Sequence, residues 1–201
     1  MVRDNGAAFK LKRERDDTVT VSFTKYERKL LENEAAKRHA IQGQSSQHYH
    51  RTGVFGEAAA MRALGLPLSF CHESDCGTDF LLGNVEVDVK CSNGLPHKSN
   101  LIFDSFDKFI ADIAIQTRIA FNNNALLQVE VIGWITKDDF KLKAEMVPMR
   151  KAKKPLLKRH LLRPIQELQH GLDEILITGG TLNASTSAAN KPASVHRLSP
   201  I

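Results

Sequence analysis

The sequence predicts an α+β (or α/β) domain with a central mixed β-sheet flanked by helices. Two segments with helical spacing of apolar residues come early, over Lys25–Ile41 and Val54–Leu64. A series of short alternating runs bounded by Gly, Asn and Pro then follows, which is strand patterning. Helices first and strands afterwards favour a shared sheet with helices packed on it. The 201 residues, 42% hydrophobic and 25% charged, suffice for one buried core.

Taken in order, residues 1–17 are polar and charged and read as a flexible basic arm, without the apolar core of a signal peptide. Thr18–Phe23 alternates as a short strand would. Thr24 and Glu27 form a capping-box pattern at the start of the first helix, with Leu30, Leu31 and Ala35 on one side. Gln42–Gly53 reads as a polar connection. The second helix stops at Gly65, with Pro67 just beyond. Strands are expected over Leu68–Cys71, Thr78–Leu82, Val85–Cys91, Leu101–Phe103, Ala111–Ala120 and Leu126–Ile135, the last two joined by a turn at Phe121–Ala125. Thr136 suits the cap of a short helix, and Pro164–Leu172 a last helical turn or two. From residue 178 to 201 the chain is small and polar, a tail composition, which leaves one domain over 18–177. No run of about 18 apolar residues is present, so a membrane span is not expected. Cys71, Cys76 and Cys91 are too few for a four-thiolate cluster and read as reduced thiols of a cytoplasmic protein.

Gly77–Ser92 carries the chemistry. A two-residue Gly83-Asn84 loop fixes the register of a hairpin. Leu82 then faces Val85, Leu81 faces Glu86, Phe80 faces Val87 and Asp79 faces Asp88. Val85, Val87 and Val89 form the core face, leaving Glu86, Asp88 and Lys90 on the other. Opposed carboxylates on one face, with Cβ atoms about 4.5–5.5 Å apart, repel. A solvated sheet face would tolerate them; a divalent cation would explain them. Magnesium commonly takes one or two carboxylates plus water and phosphate oxygens. Lys90 would then orient the attacking water or stabilise charge on the phosphate. Glu57, on the apolar stripe of the second helix with Ala60, Met61 and Leu64, is either aimed inward or along the rim of the sheet or is a first-turn glutamate favoured by the helix dipole.

Arg150, Lys151, Lys153, Lys154, Lys158, Arg159 and Arg163 form an acid-free run in a chain of net charge +5. It reads either as a solvated linker or as a phosphate-contact surface built on Lys153, Lys154, Lys158 and Arg159. His48 and His50 flank Tyr49 without a third ligand nearby, which suits a surface loop. Residues 18–42 also have the outline of a ribbon-helix-helix DNA reader, a reading that leaves the acidic hairpin unexplained.

Glu57 in "GVFGEAAAMRALGL", Asp79 in "GTDF" and Asp88-Val89-Lys90 in "VDVK" together resemble the PD-(D/E)XK nuclease superfamily. The wider likeness, over about residues 24–165, is to phage-borne members and includes the "AAKR" end of the first helix, "ADIAI" and "VIGWI". Thr78 stands where the name-giving proline would be. The resemblance implies a restriction-endonuclease-like α-β-β-β-α-β core and Mg2+- or Mn2+-dependent hydrolysis of DNA phosphodiesters. It implies metal ligation by Asp79, Asp88 and the Val89 carbonyl, with Glu57 contributing directly or through water. Lys90 would position the attacking water; whether Glu86 or Gln116 takes part is open. The implied partner is DNA, duplex or branched, with RNA and a homodimer also open and no membrane. The alternative is a non-catalytic nucleic-acid-binding or phage-assembly protein with a nuclease-like fold.

Overall fold

A computed structural model describes residues 12–14, 18–42, 47–70, 77–95, 98–121, 127–150 and 152–178. The chain is α+β. Strands β1 (Lys12–Glu14), β2 (Thr18–Ser22), β3 (Phe80–Leu82), β4 (Val85–Ser92), β6 (Ile113–Phe121) and β7 (Leu127–Thr136) form a mixed sheet in the order β1-β2-β7-β6-β4-β3. Only β4 and β6 run parallel in it. A second, antiparallel sheet has the order β5-β9-β8, from β5 (Leu101–Ile102), β9 (Lys153–Leu157) and β8 (Glu145–Pro148). The described α-helices are α1 (Lys25–Gln42), α2 (Gln47–Ala63), α3 (Lys137–Lys143) and α4 (Ile165–Thr178), with short 3-10 helices at Phe106–Lys108 and Arg159–Leu161.

Sheet alternation assigns two cores. Val87, Val89, Ile113 and Ile115 join Leu31, Ala35, Val54, Phe55 and the alanines of α2 in the larger one. Ala114 and Ile135, offset by one position, join Phe103, Phe109, Phe140 and Leu157 in the smaller. Helix α2 sits close on the sheet because Gly56 has no side chain. A Cβ there would lie 2.6 Å from the Cys91 Cβ and 2.7 Å from the Thr117 Oγ1.

Several expectations hold. The capping box forms, with the Glu27 N–H donating to Thr24 Oγ1 at 3.2 Å and the Thr24 N–H to Glu27 Oε2 at 2.8 Å. Thr136 caps α3 by accepting from the Asp139 N–H at 3.2 Å.

Others are corrected. Lys12–Glu14, inside the expected arm, pair with β2. β2 therefore has β1 on one edge and β7 on the other, so it offers no free ribbon for a ribbon-helix-helix dimer. Leu30 points outward. Residues 66–70 form no strand, and Cys71 and the turn at 122–125 lie outside the described residues. Helix α2 begins at Gln47, so "QHYHRT" is helical, not a loop. Its weak formers are held by tertiary contacts: Arg51 reaches Glu32 of α1 at 2.6 Å and lies over the Phe55 ring. The basic run is no linker, since Lys153–Leu157 are a central strand. The final helix runs fourteen residues, to Thr178. The crossover from β4 to β6 carries β5 and a 3-10 turn at Phe106–Lys108 where the resemblance implies a helix.

Candidate active site

Gly83 takes φ 61°, the left-handed conformation a two-residue hairpin loop requires. The register is the expected one: Leu82 with Val85, Leu81 with Glu86, Phe80 with Val87. The ladder ends there, and the expected Asp79–Asp88 pair is not part of it. The Asp79 N–H donates to the Val87 carbonyl at 2.8 Å, the partner of Phe80. Its carboxylate bends back along the strand, and Oδ2 accepts the Val89 N–H at 2.6 Å. Beyond Val87 the outer edge of β4 has no strand partner among the described residues, and the Asp79 side chain takes the place of one.

Gly56 lets α2 bring Glu57 down onto this edge. Glu57 is 3% exposed, and both its oxygens are held by Arg38 of α1: Nη1 to Oε1 and Nη2 to Oε2, each 2.7 Å. Arg38 also lies 3.6 Å from Glu34 and over the ring of Phe70. Burial works against its charge, but Glu57, Asp79 and Glu34 outweigh burial and raise its pKa. Arg38 is not among the residues that the sequence pattern singles out, although "AAKR" contains it. Its spacing of four from Glu34 is a legible helix pair; its tie to Glu57 is tertiary.

Asp88 is 3% exposed, so the solvated-face reading fails. Lys90 Nζ stands 2.7 Å from Asp88 Oδ1 and 5.1 Å above the centre of the Phe103 ring, with its side chain 40% exposed. Burial, together with the charges of Glu57 and Asp88, pushes the Asp79 carboxyl up to about 8; the Val89 N–H and Lys90 oppose the rise. Glu57, Asp79, Asp88 and Lys90 therefore share one electrostatic site.

The donor chemistry fits a hard divalent cation. Asp79 holds its proton because it is buried and, after that, because Glu57 and Asp88 lie near it; a hard ion would offset both effects. Asp79 and Asp88 carry the oxygens nearest such an ion, with Asp88 paired to Lys90 and Glu57 to Arg38. Among the described residues no group of three or more His, Cys, Asp or Glu side chains is arranged to hold a metal ion as it stands.

Gln116 neighbours Lys90 directly in the parallel β4–β6 ladder and is 1% exposed, but its Nε2 donates to the Thr117 carbonyl at 2.8 Å. Glu86 is exposed and accepts from Thr78 Oγ1 at 3.3 Å. A groove of about 360 Å3 opens beside Asp79, walled by Met61, Leu66, Pro67, Phe70, Phe80 and Leu81.

The basic strand borders the same site. Phe103 and Asp104 follow β5, which pairs with β9, and Lys154 bonds to Asp104. That bond, with Lys108 and Lys90 adding their charge, lowers the Asp104 pKa, so Lys90 and Lys154 act on one carboxylate. Lys158 pairs with Glu145 at 3.1 Å and Arg163 with Asp139 at 2.6 Å, while Lys153 is exposed. The Arg159 backbone N–H donates to Asn100 Oδ1. His48, on α2, lies 3.0 Å from the Asn93 amide nitrogen. No helix among the described residues is long and apolar enough to cross a membrane. No protein-family model matches the chain, and no curated protein matches it.

Proposed function

We propose that this chain is a metal-dependent endonuclease that hydrolyses phosphodiester bonds in DNA, with a restriction-endonuclease-like core in which α2, β4 and the residue before β3 carry the chemistry. The supporting observation is the gathering of Glu57, Asp79, Asp88 and Lys90 at the end of one hairpin, where burial and then the neighbouring acids raise the Asp79 pKa. Asp79, Asp88 and the Val89 carbonyl would hold Mg2+ or Mn2+. The cation, when bound, polarises the phosphate and acidifies water. Lys90 lies over Phe103 and pairs with Asp88 on a partly exposed side chain, so it could orient the attacking water or meet charge developing on the phosphate. Lys153, Lys154, Lys158 and Arg159 would lay the DNA backbone along β9, beside Lys90.

The second reading is a non-catalytic nucleic-acid-binding or phage-assembly protein. It is favoured by the pairing of Asp88 with Lys90 and of Glu57 with Arg38 without any added cation. Incubation with plasmid, linear and branched DNA, with and without Mg2+, separates the two. Cleavage is expected only with Mg2+. Asp88→Asn should abolish it with the fold intact, and Lys90→Ala should lose most turnover while still binding Mn2+. Wild-type cleavage rates in both variants, with contaminating nuclease excluded, would overturn the site. DNA binding without cleavage under every condition would select the second reading.

A further inference from the structure

We infer that Arg38 is a phosphate-binding residue, and that a phosphodiester taking its guanidinium releases Glu57 to the cation; this rests on the phosphodiesterase reading above. Arg38 and Glu57 come from different helices and meet in two parallel hydrogen bonds of 2.7 Å. This fork suits a carboxylate and the non-bridging oxygens of a phosphate equally well. Glu57 is 3% exposed, and the Arg38 side chain 14%, so water contributes little to either. Each Glu57 oxygen spends one of its lone pairs on Arg38, so a cation and the guanidinium compete for the same carboxylate.

Arg38 lies over the ring of Phe70, which lines the groove beside Asp79, and the Asp79 charge acts on the guanidinium. If the phosphate replaces Glu57 on the fork, two charge-assisted hydrogen bonds are exchanged for two others. Glu57 is then left buried beside the cation, where an oxygen ligand is wanted. The exchange couples the two ligands: DNA strengthens cation binding, and by linkage the cation strengthens DNA binding equally. The site would thus complete itself on substrate, with Arg38 as the group that senses the phosphate.

The test is a Mn2+ titration by calorimetry, without DNA, with circular dichroism to check the fold. Arg38→Met should free Glu57 and raise Mn2+ affinity by about fivefold or more, the lower end of ordinary coupling. Adding Glu57→Gln to it should remove the gain. Arg38→Lys keeps a charge but not the fork; it should show a smaller gain and carries the test if Arg38→Met does not fold. In the Lys90→Ala protein, a duplex oligonucleotide should raise Mn2+ affinity, and Arg38→Met should cancel that rise. Unchanged Mn2+ affinity in the folded Arg38 variants, or a gain that survives Glu57→Gln, would overturn the inference. Asp79→Asn is expected to lose Mn2+; if it binds as tightly as wild type, the metal-site reading has failed instead.

Discussion

Asp79 is bound by an N–H, crowded by two acids and half-buried, and these conditions give it a measurable signature without any cation. Its carboxyl is raised on folding from 3.8 to about 8, by burial first and then by Glu57 and Asp88. The native state therefore holds this proton more tightly than the unfolded state does. Stability from this group is greatest below the unfolded value and declines as pH rises toward 8. In chelator, the melting temperature should fall between pH 5 and 8.5, and Asp79→Asn should flatten the fall. Parallel slopes would remove Asp79 as its source. Glu27 has the opposite sign. Hydrogen bonding from Arg62 lowers it to about 2 against the cost of burial, so its contribution is present above 4.5 and is lost as pH falls toward 2. The two windows do not meet above pH 5, and one experiment can separate them.

Among the elements, α2 sets the site through its glycines. Gly56→Ala gains about 0.5–1 kcal/mol of helix propensity. It also drives a fixed Cβ into the Cys91 Cβ and the Thr117 Oγ1, both too near the backbone to swing aside. Overpacking of this kind costs about 1–3 kcal/mol, so the net effect should be destabilising. Gly53→Ala meets only Glu57 Oε1, at 3.8 Å, and should stabilise slightly. Urea denaturation of the pair checks the contrast; equal effects would deny the close approach at Gly56. The hairpin was legible in the sequence because a Gly-Asn loop and strict alternation leave one register. The first turns of α2 were not, because "QHYHRT" has no apolar period and is fixed by Arg51 reaching across to α1. Strand β9 was hidden for another reason. Pro155 lies between β5 and β8, where a missing N–H argues against a strand, and its carbonyl still accepts from the Phe103 N–H at 3.3 Å. The four acid and lysine positions could be read from local pattern; Arg38 and Phe103 complete the site only through tertiary packing.

For the whole molecule, the net charge of +5 matters through where it is displayed. The β8–β9 hairpin presents Lys153 openly and Lys154 and Lys158 through surface ion pairs. Such pairs contribute only about 0–1 kcal/mol each and exchange readily for phosphate. Neutralising Lys153, Lys154, Lys158 and Arg159 should weaken binding alike on unrelated DNA sequences. It should flatten the salt dependence by about 0.9 in slope for each phosphate that the variant no longer neutralises. Lys153 should account for more of that change than Lys154 or Lys158, which exchange one anion for another. Anisotropy over a salt series measures this; an unchanged slope in the quadruple variant would move the DNA surface away from β9.

The Asp79 carboxylate on the Val89 N–H has a further consequence, for how molecules meet each other. An open strand edge is a template on which a second chain can build. Here a side chain occupies the donor that such a chain would use first. Asp79→Asn keeps an acceptor oxygen and should stay as monodisperse as the parent. Asp79→Ala uncovers the donor and should self-associate with rising concentration, visible by light scattering. On the proposed reading Asp79 would serve both the cation and the sheet edge, and Asp88→Asn, which leaves the Val89 N–H covered, would be the cleaner inactive reference.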